Sequence, residues 1–424
     1  MSLGRVLKNI RVARDLSREE VVAPKYSISH LAAVEQGVKR PSIRMLTHVA
    51  DRLRVSLEML VPDVMENGIP VPEMIRLARS LCREGKYDLA LNILQQANDK
   101  DENEDDGGQY RVDRLEAEAY IEFGRNNLDR SLDLYSQVSK IRERGGNPFL
   151  IAQIYHSMGL VERRRDRLQR ASHWFFIAWE KIAPEYSSHP TFALELLHNY
   201  GDTLMEIGEY PTARSIYERC MALMTSEHET QDPIEVLRKI AGCATETGDL
   251  GEAEKYLLRA VKEAQGTGRR KGLTRLLTKL GTVIRRQGRP EQALPHLVAA
   301  LDLADSAGTN PVGILNEIAQ CHLAASDDVP EEIEQWEQSI TSEILERATE
   351  EERTLFLLLK SEVLKRSEQY GESFKTAREA FCDASGSLDL KILAIALEAS
   401  QLARDSSGVQ WVVDQLHCLS TSTQ

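Results

Sequence analysis

At 424 residues the chain exceeds what one hydrophobic core normally serves, so at least two folding units are expected. Its 42% hydrophobic and 28% charged residues, with 25 Gly and 14 Pro, exclude a disordered or collagen-like chain. The net charge of −13 is unevenly spread: Met1 to Val61 carry 11 Lys/Arg and 6 Asp/Glu, a balance of +5, which leaves −18 for the rest. A basic head on an acidic body suits a nucleic-acid-binding unit joined to one with another task.

The six cysteines are scattered with no CxxC pair, which argues against a zinc site or a dithiol motif and suits a reducing cytoplasm. The longest strongly apolar run, Leu355 to Leu359, is too short to cross a bilayer. No GxxxxGK[ST], HExxH or GxSxG stretch occurs, so no enzyme, cofactor or metal is expected.

In chain order, Leu3, Val6, Leu7, Ile10 and Val12 give a first helix its apolar face. Ser17 with Glu20 forms a capping box for a second. Ser27 or Ser29 opens a third, which Gly37 ends. Pro41-Ser42 starts a fourth, and Ser56 a short fifth. Residues 62–73 hold three prolines and read as a linker. The expected domains are thus 1–61, the linker, and 74–424.

Everything after the linker repeats. Small residues recur at Ala90, Ser131, Ala171, Ala213, Ala253 and Ala293, with Ser373 two periods on, a spacing near 40 residues. Glycines at 85, 124, 208, 248 and 288 precede them and are expected to end the first helix of each pair. Such a period predicts stacked helical hairpins, whose first helices line a concave face. The pattern fades between Ser326 and Thr349, and the acidic run Asp99 to Gly108 is expected as a solvated loop. The fold class expected is all-α: a five-helix head followed by a right-handed α-solenoid.

Aligning the repeats places Arg114, His156, His198 and Arg238 at one inward position. Arg275 lies three residues before the next equivalent. Asn199, Lys239, Lys279 and Asn316 lie beside this row, and Asp202 lies one turn after His198. Such a polar trough suits an extended peptide. The late aromatics Trp336, Phe374, Phe381 and Trp411 are candidates for a dimer contact.

The segments LSREE (16–20), Ser27 to Gly37 with Leu31, Val34, Glu35 and Gln36, and RPSIRML (40–46) resemble the helix-turn-helix of phage-repressor-type (XRE-like) regulators. That resemblance implies that the third helix enters the major groove of double-stranded DNA. Ser27, Ile28, Ser29, His30 and Ala33 would then face bases, with Lys25 close by. Arg18, Lys39, Arg40 and Arg44 would hold phosphates. Asn199-Tyr200-Gly201, Gly208, Tyr210, Ala213 and Tyr217 resemble the tetratricopeptide repeat.

The combination is similar to the RRNPP family of peptide-pheromone receptors. It implies a homodimeric cytoplasmic transcription regulator whose DNA binding is altered by a short signalling peptide. It also implies that Asn199 and Asn316 clamp that peptide. The alternative is a scaffold or anti-activator whose repeats hold a protein partner, with an accessory head.

Overall fold

The computed structural model describes residues 3–60, 70–103, 110–224, 232–266, 270–326, 329–383 and 389–422. Every regular element among them is helical, and the chain forms two compact units, Met1–Ile207 and Gly208–Gln424.

The first unit opens with α1 (Leu3–Ala13), α2 (Arg18–Val22), α3 (Ile28–Glu35) and α4 (Ile43–Leu53). The expected fifth helix is a single 3-10 turn, Leu57–Leu60. Local chemistry fixes each start. Ser17 and Glu20 complete their capping box, Ser27 rather than Ser29 accepts from the His30 N–H, and Ser42 accepts from the Met45 N–H. Gly37 takes φ +75° just past α3, a conformation glycine adopts freely. Leu7, Val21, Leu31, Val34, Met45, Leu46, Val49 and Leu53 are fully buried between these helices.

One buried charge sits in this core. Glu35 accepts from Arg11 Nε at 2.6 Å and from Arg18 Nε at 2.8 Å. Burial alone would raise its pKa, but the two guanidiniums outweigh that and hold it below the usual carboxylate range.

The next helix, α5 (Val71–Arg83), begins three residues before the expected boundary. Pro70 caps it and Pro72 falls in its first turn, where a missing N–H costs nothing, so these prolines start a helix rather than extend the linker. Residues 61–69 lie outside the described residues. Two carboxylates of α5 and the residue after it reach back into the head. Glu73 accepts from the Ile43 N–H at 3.1 Å, and Glu84 accepts from Ser56 Oγ at 3.0 Å and the Leu57 N–H at 3.4 Å. A single apolar core runs from Leu3 through Leu57, Leu77 and Leu81 to Ile121. Head and first repeats therefore share one interior.

The first unit continues with α6 (Tyr87–Asn103), α7 (Arg111–Gly124), α8 (Leu128–Arg142), α9 (Pro148–Arg164), α10 (Leu168–Ile182) and α11 (Pro190–Ile207). The second contains α12 (Tyr210–Leu223), α13 (Pro233–Glu246), α14 (Leu250–Gln265), α15 (Arg270–Arg286), α16 (Pro290–Ala307) and α17 (Val312–Ala325). It ends with α18 (Glu331–Ser339), α19 (Ser342–Glu346), α20 (Glu350–Arg366), α21 (Tyr370–Asp383), α22 (Asp389–Leu402) and α23 (Ser406–Ser422).

These are tetratricopeptide-like helical hairpins, and their seam is made of small residues. Ala90, Ser131, Ala171, Ala213, Ala253, Ala293 and Ser373 are all fully buried. The residue 12 positions before a seam residue is small too. Ser131 Oγ donates to Ala119 O at 2.8 Å, and Ser361 and Ser373 exchange the same bonds. Gly159 and Gly281 hold that position elsewhere. A Cβ on either would come 2.5 Å from Phe175 or Leu297, so the partner helix occupies the space a side chain would need.

Two expectations are corrected. Gly124 is not a turn residue: it closes α7, and a Cβ there would meet Tyr87 Cε1 at 2.6 Å. The left-handed position is Asn126, φ +66°, because asparagine also tolerates that region. The first half of the acidic run, Asp99 to Asn103, continues α6 rather than forming a loop; residues 104–109 lie outside the described residues. Of the late aromatics, Trp336 is buried against Phe356, and half-buried Trp411 meets half-buried Phe374 and Phe381 edge-on. The irregular stretch after Ser326 is two short helices, α18 and α19, where the larger Ile333 is buried at the seam position that Ala or Ser holds elsewhere.

Candidate functional site

Two surfaces carry the chemistry. The first is the exposed end of α3. Ile28 is 47% exposed, Ser29 and Lys25 are exposed, and His30 and Ala33 are half-buried. Ser27 is engaged as the cap, with its Oγ 3.2 Å from Ser29 Oγ. Lys39, Arg40 and Arg44 are exposed on the loop after α3 and the first turn of α4. Arg18 differs from the other cations, because its guanidinium holds Glu35 in the core.

The second is the inner face of the first helices, which carries a separate cavity in each unit. In the first unit Arg79, Glu116, Tyr120, Gln153, His156 and Phe192 line a cavity of about 650 Å³. His156 is 5% exposed, with Nε2 3.0 Å from Asn199 Nδ2 and its ring edge-on to Phe192. Burial pulls its pKa down to about 4, so the ring is neutral near pH 7. Neutral Nε2 then accepts from the amide, which ties Asn199 to the trough wall. His198 lies 3.5 Å from Asp202, a pair one turn apart on α11.

Arg114 does not join them. Counting back from the left-handed turn residue, His156 is ten positions before Asp166, and the residue ten before Asn126 is Glu116. Glu116 lines the cavity and pairs with Arg79 at 3.0 Å and Arg142 at 3.1 Å. Arg114 is buried beside Glu118 and Glu122 in a separate crevice against Leu91 and Leu94. The glycine at 124, two residues early, shifts the sequence alignment by that amount.

In the second unit Arg275 and Lys279 line a smaller cavity of about 250 Å³ with Lys271, Thr274 and Thr278. Loss of solvation lowers the Lys279 pKa, Arg238 and Arg275 push the same way, and Glu235 and Glu246 oppose them. Arg238 Nε donates to Glu235 at 2.8 Å, and Lys239 Nζ sits 5.5 Å from the Tyr217 ring centre. Asn316 is fully buried and its Nδ2 donates to Glu352 O at 3.0 Å, so it anchors α20 rather than facing the trough. Sequence reasoning missed Glu116, Tyr120 and Phe192. The first was hidden by the register shift, and aromatic residues read as core.

Among the described residues no cluster of three His, Cys, Asp or Glu could hold a metal ion, and no helix is long and apolar enough to cross a membrane.

The chain matches the tetratricopeptide repeat model over residues 192–264. No curated protein sequence matches it. Among solved structures it is similar to the apo form of RapI, at 12% identity over 95% of this chain and 97% of that one, with a TM-score of 0.52. It is also similar to PlcR of Bacillus thuringiensis in complex with the peptide PapR7 and DNA, at 12% identity, 62% and 98% coverage and a TM-score of 0.33. BtubC from P. vanneervenii gives 15% identity, 63% and 93% coverage and a TM-score of 0.40. At these identities the RapI likeness speaks for the fold alone: a tetratricopeptide-like helical repeat chain.

Proposed function

We propose that the chain is a DNA-binding transcription regulator whose repeats bind a short peptide, and that binding changes how the head engages DNA. The observation that carries this reading is the shared core. An exposed cationic helix end and a polar trough belong to one compact unit with no apolar gap between them. In this reading Lys25, Ile28, Ser29, His30 and Ala33 meet the major groove, and Lys39, Arg40 and Arg44 meet phosphates. Arg18 orients α3 through Glu35. The peptide contacts proposed on the first unit are His156, His198, Asn199 and Asp202; on the second unit, taken by itself, the candidate contacts are Arg238, Lys239, Arg275 and Lys279. A homodimer on a two-fold related site supplies the affinity a single small head lacks.

The test is a mobility-shift titration of the full chain on the promoter fragment upstream of its own gene, across a salt series. Lys39→Ala with Arg44→Ala is expected to weaken binding to all sequences alike and lower the salt slope by about 2, near 1 per phosphate contact. An unchanged slope would remove the head from the account. Recovery of one stoichiometric protein partner, with no promoter shift at low salt, would favour a scaffold instead.

A further inference from the structure

We infer that the basic cleft between α4 and α5 is a second ligand site, and that it receives a carboxylate of the peptide lying in the first unit's trough. The inference rests on the peptide reading above and adds the chemistry that one end of that peptide must have.

The cleft has a volume of about 590 Å³. Lys25 contributes from the turn before α3, Arg44 and His48 from α4, and Arg76, Arg79 and Arg83 from α5, against one carboxylate, Asp51. Arg76 and Arg79 are paired with Glu73 and Glu116. Lys25, Arg44 and Arg83 have no ion-pair partner among the described residues. Three uncompensated cations facing one space raise its potential and favour an anion there.

A separate observation points to a ligand. His48 Nε2 is buried and has no hydrogen-bond partner among the described residues, while its ring is held 5.5 Å from that of Tyr26. A buried ring nitrogen left without a partner is costly, and a ligand oxygen would satisfy it.

Continuity decides what the anion belongs to. Arg79 and Arg83 line both this cleft and the trough that holds His156. A peptide in the trough can therefore run past Tyr120 and end among these arginines. A space of this size accepts a short chain end, as small-ligand pockets do, but no duplex, whose phosphates could touch only its rim. A carboxylate held between Arg44 on the head and Arg83 on the repeat would bridge the two, compete with the phosphate proposed for Arg44 at the cleft's rim, and so make the affinity for peptide depend on the head and its DNA.

The test uses the immobilised full chain and two pools of random heptapeptides. One pool has free C-termini and includes Asp and Glu; the other is amidated and lacks both. Captured peptides are identified by mass spectrometry. The acidic pool is expected to be enriched on the native chain, with roughly tenfold of that preference lost in Arg83→Gln, as for one charge-assisted contact. Arg83→Glu should shift the preference towards Lys-bearing peptides. Arg83 is exposed, so both variants should keep the native melting temperature. Equal capture of both pools, or an acid preference untouched in both variants, overturns the cleft while leaving the trough as a peptide site. Capture from neither pool overturns the peptide reading and this inference with it. A lowered DNA salt slope in Arg83→Gln with peptide preference intact would make the cleft a phosphate surface and likewise overturn it.

Discussion

The head and the repeats hold themselves together by different means. In the head, three helices meet at one buried carboxylate: Arg11 from α1 and Arg18 from α2 converge on Glu35 at the end of α3. In the repeats the recurring element is a seam of small residues, and ion-pair hubs such as Glu116 with Arg79 and Arg142 are local to one hairpin or its neighbour. A hub specifies one arrangement and fails as a whole. A seam distributes the same work over neighbours, so damage to it is local. This difference suits a head that must present one geometry and a stack whose lining can vary.

The sharpest way to break the comparison is Glu35→Ala. Removing the shared acceptor leaves two cations around an apolar core, so a loss of about 4 kcal/mol is expected in the first unit. Denaturant unfolding followed by proteolysis of the head checks it; a loss under about 1 kcal/mol would mean the hub is ornamental.

In the repeats the buried imidazole of His156 offers a second test. Its folded pKa near 4 lies below the ordinary 6.5. Between those values the unfolded chain binds the proton and the folded one does not, so stability rises with pH across the window and is lost as pH falls from 6.5 towards 4. The full effect is roughly 3 kcal/mol, from about 1.4 kcal/mol per unit of pKa difference. His156→Phe should flatten that part of the profile; a native-like slope in the variant would assign it to other groups.

The smallest effect has the opposite sign. Glu368 occupies the left-handed turn position, φ +60°, where Gly85, Gly248 and Gly288 sit in other hairpins. Glu368→Gly should stabilise the second unit by about 1 kcal/mol by relieving that strain. Calorimetry that shows no gain would place the strain elsewhere.

Local signals were legible wherever one residue suffices. The Ser17–Glu20 box and the small-residue row can be read from the chain because capping and close approach each depend on residue type at a fixed spacing. Relations that need two distant residues were not legible. Nothing near Glu35 announces Arg11, and nothing near Arg18 distinguishes it from a phosphate contact. The first trough position was shifted by two because asparagine can replace glycine at the turn, so Gly124 drew the alignment and Glu116 was passed over. Asn316 lost its expected role for a similar reason: depth inside a helix stack depends on the neighbouring helix, here the Glu352 carbonyl of α20.

Glu73 and Glu84 place negative charge on the N-terminal ends of α4 and the 3-10 turn, where unpaired backbone amides gather. Those two latches, set about one α5 length apart, deny the head an independent swivel. Under the proposed function, a message arriving from the first unit's trough tilts α5 bodily and carries the exposed end of α3 along as a lever, so its reach grows with distance from the latches rather than with the slackness of a tether.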